Sequence, residues 1–125
     1  RFISMAAKSV PLEEVIRRER AEGSVIEDVS APHLKTGFDL KVLRADGTMR
    51  YVEVKGRTGT TGIELTENEW AQAANHRDRY WLYVVYQCDT VPELYRVCDP
   101  FGQLLGQSLG TVSITAGQIK TAAQP

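Results

Sequence analysis

The chain has 125 residues, 42% hydrophobic and 25% charged, with ten Gly and five Pro, close to average globular usage. These values exclude a disordered tail, a collagen-like repeat and a coiled coil, and the whole of 1–125 suits a single domain. The longest apolar run, 80–86, is far short of the ~20 residues a membrane helix needs, and a net charge of −1 excludes a protein that holds nucleic acid by bulk positive charge.

In chain order, the first expected helix has Pro11 in its first turn and Gly23 as its stop. Leu12, Val15, Ile16 and Glu19 fall at i, i+3, i+4 and i+7, so Glu19 sits inside the apolar stripe. Three strands follow over 25–30, 37–44 and 48–57, the last two joined by Ala45-Asp46-Gly47. Residues 56–62 read as a Gly-rich connector or as a DNA-contacting loop led by Arg57. A second helix starts at Thr66, where Thr66 and Glu69 form a capping box and Leu65 staples onto Trp70. Trp70, Ala73 and Ala74 supply its buried stripe. The nearly continuous apolar run 80–87 predicts a strand buried on both faces, with 93–98 as its neighbour. One weak strand over 111–115 and a frayed end complete the chain. The order helix, three strands, helix, two or more strands predicts an α/β (α+β) domain, a mixed sheet flanked by helices.

Cys88 and Cys98 end the two neighbouring strands. Antiparallel pairing sets Cys98 opposite about Tyr83, roughly 17 Å from Cys88 and beyond the ~7 Å reach of a disulfide. Two reduced thiols, no signal peptide and a first residue other than Met lead to the expectation of a cytoplasmic domain cut from a longer polypeptide.

The chemistry-bearing stretch is Gly37-Phe38-Asp39 followed by Glu53-Val54-Lys55. Glu53 and Lys55, two apart on a strand, share a face. A three-residue Ala45-Asp46-Gly47 loop makes every cross-strand pair sum to 92, placing Leu40 against Val52 and Asp39 directly against Glu53. A two-residue loop would bury the charges among apolar residues, so the hydrophobic pattern selects the first register. Two opposed carboxylates repel unless something lies between them. A divalent cation is one solution, with Lys55 stabilising charge on a phosphate. The other is an ordinary surface ladder with Lys41 and Lys55 as ion-pair partners. Glu19 has the same two options: to reach water or Arg20 at the helix end, or to join the site. On either, Glu19→Leu is expected to stabilise the fold or leave it unchanged.

A helix Glu, then Gly-x-Asp, then Glu-x-Lys resembles the PD-(D/E)xK nuclease superfamily. More closely, Asp28-Val29-Ser30, Gly37-Phe38-Asp39, 52–57, Leu65-Thr66-x-Asn68-Glu69-Trp70 and 80–85 resemble the Protein NO VEIN C-terminal-type domain. The resemblance implies a restriction-endonuclease-like αβββαβ core and Mg²⁺ (or Mn²⁺) dependent phosphodiester hydrolysis. It implies DNA as substrate and a helicase or ATPase region in the same polypeptide. Carried over by position, Asp39 and Glu53 would be metal ligands with the Val54 carbonyl, Lys55 the catalytic lysine and Glu19 the accessory acid. Arg57, Lys41 and Asn68 are the candidate nucleic-acid contacts. Phe38 stands where the superfamily name has Pro. The competing reading is an inactive nucleic-acid-binding or protein-interaction module of the same fold.

Overall fold

The computed structural model describes residues 2–104, 107–109 and 111–125, with side chains described for 10–104 and 111–125. Helix α1 (Phe2–Ala21) leads into β1 (Val25–Asp28), β2 (Leu40–Leu43) and β3 (Met49–Gly56). Then come β4 (Ile63–Leu65), α2 (Glu67–His76), β5 (Tyr80–Tyr86), β6 (Glu93–Cys98), α3 (Pro100–Gln103), β7 (Gln107–Leu109), β8 (Thr111–Ile114) and α4 (Ala116–Ala122). The main sheet has the order β1-β2-β3-β5-β6. Its pairs are antiparallel except β3 with β5, which run parallel across the β4–α2 crossover.

Side-chain alternation sorts this sheet into two faces. Leu40, Val42, Val52, Val54, Trp81, Tyr83 and Val85 pack with Val15, Leu12 and Ile16 of α1. On the other face Leu82, Val84, Tyr86 and Val97 pack against Ile63, Leu65, Val112, Ile114 and Ile119. Strand β5 is therefore buried on both sides, as its unbroken apolar run predicts.

The predicted hairpin forms. Leu43 faces Met49 and Leu40 faces Val52, and Gly47 has φ 89°, a left-handed value that glycine adopts without a Cβ clash. The ladder ends one pair short of the expected Asp39–Glu53 match. The Asp39 N–H donates to the Val52 carbonyl at 2.8 Å, and the Asp39 carboxylate accepts the Val54 N–H at 2.9 Å. A side-chain oxygen has taken the place of the next carbonyl in the ladder, whose own donor is the Thr36 hydroxyl.

Three expectations need correction. Helix α1 begins at Phe2, so Pro11 lies inside it rather than in its first turn. Pro11 is buried where α1 crosses β3, and a Cβ on Gly56 would come within 2.6 Å of its ring. Cys98 faces Trp81, with Arg96 facing Tyr83, because a six-residue loop with Gln87 at φ 58° joins β5 and β6. Both cysteines are free, as expected. The expected weak strand over 111–115 is β8, which pairs with β4 and β7 in a second sheet, but the end after it is not frayed: α4 opens with a Thr115–Gln118 capping box and buries Ile119.

Candidate active site

The site lies where β3 leaves its pairing with β2 and the first turn of α2 crosses above. A cavity of about 160 Å³ is walled by residues 29–32 and 35–38, by Asp39 and Glu53, and by Thr66, Asn68 and Glu69. Asp39 (6% exposed) and Glu53 (1% exposed) are carboxylates drawn almost wholly out of water. Charged groups are buried to this degree only with partners. Asp39 has the Val54 N–H, and Glu53 has the Lys55 ammonium at 3.4 Å.

Lys55 is shared. Its Nζ donates to Glu69 Oε1 at 2.9 Å while remaining in ion contact with Glu53. The same Glu69 oxygen accepts the Thr66 N–H at 2.9 Å, and Thr66 Oγ1 accepts the Glu69 N–H at 3.1 Å. The capping box therefore also anchors the lysine. Burial pushes the Glu69 carboxyl upward, but the hydrogen bond and charge of Lys55, with smaller help from Thr66 and Glu53, outweigh it and hold it below its usual value. Tyr80, whose hydroxyl donates to the Gly37 carbonyl at 2.8 Å, is raised by burial and then by the charges of Glu53, Glu69 and Asp39. All three acids thus act on one point.

The structure brings Asp39, Glu53, Val54 and Lys55 together and leaves Glu19 elsewhere. Glu19 is fully buried on the α1 face of the sheet, opposite the face carrying Glu53 and Lys55. It accepts from Ser24 Oγ at 2.6 Å, Arg44 Nη1 at 2.7 Å and the Tyr83 hydroxyl, and pairs with Arg96 at 3.3 Å. Burial works to raise its carboxyl, but the hydrogen bonds from Ser24, Tyr83 and Arg44 prevail and hold it low. The expected accessory acid is an anchor of the core. Beside it an open hollow of about 620 Å³ is lined by Arg18, Glu22, Arg44 and Arg96, whose three cations pair with Glu14, Glu19 and Glu22.

Of the expected nucleic-acid contacts, Asn68 lines the cavity and donates to the Lys35 carbonyl at 3.3 Å. Lys41 faces Tyr51 and Glu27 on the neighbouring strands and does not line the cavity. The Arg57 guanidinium donates to the Gly56 and Gly62 carbonyls, bracing its own loop. Two wall residues escaped the sequence reading, Lys35 and the lysine-holding role of Glu69. The capping-box spacing located Glu69, but its second partner lies 14 residues away.

Among the described residues, no group of three or more His, Cys, Asp or Glu is arranged to hold a metal ion. Two hard carboxylates on one cavity still suit Mg²⁺, which keeps several waters and binds through one or two carboxylates with substrate phosphate. Asp39, Glu53 and the Val54 carbonyl would hold it. Among the described residues no helix is long and apolar enough to cross a membrane.

A five-stranded mixed sheet with α1 on one face and α2 on the other, carrying its acids where β3 parts from β2, defines a restriction-endonuclease-like fold. The Holliday junction resolvase Hjc of Archaeoglobus fulgidus, an archaeal hyperthermophile, shares it. The TM-score is 0.66 at 12% identity, covering 90% of this chain and 94% of the other. Residues 8–97 match the family described as Protein NO VEIN, C-terminal, and the chain belongs to that family. Among curated proteins no sequence match is found.

Proposed function

We propose that this domain hydrolyses DNA phosphodiester bonds with Mg²⁺ or Mn²⁺, inside a longer cytoplasmic polypeptide that carries a helicase or ATPase region. The observation that supports this reading is that Asp39 and Glu53 line one cavity and that Lys55 lies in ion contact with Glu53 at 3.4 Å. A bound divalent ion supplies Lewis acidity toward a phosphate oxygen and a more acidic water. Asp39 and Glu53 hold that ion, and Lys55 offsets negative charge as it builds on the phosphate. At about 160 Å³ the cavity has room for a phosphate group and a few waters, each occupying ~30 Å³ in the liquid. The backbone of the nucleic acid would enter it, with Lys41, Asn68 and Arg57 as flanking contacts.

One observation favours a second reading, an inactive nucleic-acid-binding or protein-interaction module: Glu19 contributes no further acid to the site. A cleavage assay separates the two. Linear, branched and single-stranded DNA are incubated with Mg²⁺ or Mn²⁺, with Lys55→Ala as control. Metal-dependent cutting that Lys55→Ala reduces by at least about a hundredfold, or ~2.7 kcal/mol, supports the nuclease. DNA binding that is equal in both proteins, with no cutting by either, supports the module.

A further inference from the structure

The acidic cavity has a second lysine at its wall. Lys35 lines it together with Asp39, Glu53 and Glu69, and is exposed. Lys55 is committed to the Glu53 and Glu69 carboxylates, whereas among the described residues Lys35 makes no ion pair. The backbone that carries Lys35 is held at several points. It stands at φ 50° and ψ 39°, a left-handed conformation that costs a residue with a Cβ and spares glycine. The Lys35 carbonyl accepts Asn68 Nδ2 at 3.3 Å, Thr36 Oγ1 donates to the Phe38 carbonyl at 2.6 Å, and the Gly37 carbonyl accepts the Tyr80 hydroxyl at 2.8 Å. Gly37, at φ 77°, lies so close to α2 that a Cβ there would collide with the Gln72 side chain. Strain of this kind, fixed in place by its surroundings, gathers at ligand clamps.

We infer that Lys35 is a nucleic-acid contact of this site: its ammonium holds a backbone phosphate at the cavity entrance, and residues 35–37 are shaped to present it. It rests on the reading that nucleic-acid backbone enters the cavity, and not on a metal. Walls bearing Asp39, Glu53 and Glu69 repel a phosphate, so a cation at the rim favours its entry. A lysine suits that task as a point charge on a flexible stem, and the contact reads phosphate rather than base sequence.

The test is binding of a fluorescein-labelled DNA duplex, followed by anisotropy in EDTA over a range of salt, with urea unfolding of each protein. Lys35→Gln is expected to weaken binding at least about fivefold at low salt. It should also make the slope of log K against log[salt] shallower by about 0.9, the counterion release of one phosphate contact. Lys35→Arg keeps both. Lys35→Gly, which relieves the backbone, keeps or raises the urea midpoint and yet loses as much affinity as Lys35→Gln. Arg20→Gln removes an exposed charge from α1, across the main sheet from the cavity, and should leave the slope unchanged. An unchanged slope in Lys35→Gln, an equal change in Arg20→Gln, or an affinity loss that follows a fall in midpoint would each overturn the inference. Cutting with Mg²⁺, measured separately, keeps the two claims apart. A parent that cuts DNA while Lys35→Gln binds it unchanged refutes the Lys35 contact and leaves the nuclease. A Lys35-dependent slope without cutting refutes the nuclease and leaves the contact, and a parent that neither binds nor cuts DNA refutes both.

Discussion

Glu19→Leu is the substitution on which sequence and structure disagree in sign. The apolar stripe of α1 invites a leucine, and burying one is worth about 1.5–3 kcal/mol. The structure adds the opposing terms. The Ser24 and Tyr83 hydroxyls donate to Glu19, and both side chains are buried, so the leucine orphans two donors at about 1–3 kcal/mol each. Arg96, 6% exposed, loses one of its two anions, and Arg44 loses one of its two as well. Breaking a buried ion pair by removing one partner costs about 3–5 kcal/mol, reduced here because Glu22 remains for both arginines. The net is a loss of about 2–4 kcal/mol. At roughly 4 °C per kcal/mol for a domain of this size, Tm falls by about 8–16 °C. Thermal and urea unfolding at pH 7 measure it, with Glu19→Gln, which keeps an acceptor for the hydroxyls, expected to lose less. Mn²⁺ binding should not change, since the site is on the other face of the sheet. A Glu19→Leu protein as stable as the parent would refute the ion-network reasoning, and one that also lost metal affinity would return Glu19 to the site.

Two further outcomes follow from the same geometry. Gly47→Ala meets no atom within 4 Å, so its cost is purely that of holding φ 89° with a Cβ, about 1–2 kcal/mol by urea unfolding; an unchanged midpoint would refute the left-handed turn that sets the hairpin register. Glu22 is held down to about 2 from an ordinary 4.5, chiefly by the Arg96 hydrogen bond. A folded-state value below the unfolded one means its contribution is complete above about pH 4.5 and disappears as pH falls toward 2, so the parent should lose more stability over that window than Glu22→Gln; parallel acid-unfolding curves would refute the pairing.

The parts of the fold that were legible in the sequence are those governed by neighbours in the chain. Alternation in β2 and β3 with Gly47 between them determines a register, and the Thr66–Glu69 spacing determines a helix start. What escaped depends on distant partners. Arg44 is 25 residues from Glu19, and Arg96 is 74 from Glu22, so a buried acid reads as an anomaly in its helix until the sheet delivers its cations. The Asp39 turn away from Glu53 depends on its carboxylate capturing the Val54 N–H, a choice made by local geometry that alternation does not encode. The second sheet was legible only in part: β8 reads as a weak strand, whereas β4 is three residues long, too short for a period to show. The Thr115–Gln118 spacing before α4 is itself a capping-box signal.

The main sheet also works as a partition. Its α1 face holds the Glu19 network, and its opposite face holds Asp39, Glu53 and Lys55, with a layer of Val52, Val54 and Tyr83 side chains on the α1 side. Substitutions on the two sides lie on opposite faces of the sheet and should combine additively. Descendants of such a sequence are therefore free to lose, alter or exchange the chemistry of one surface while inheriting the scaffold of the other intact.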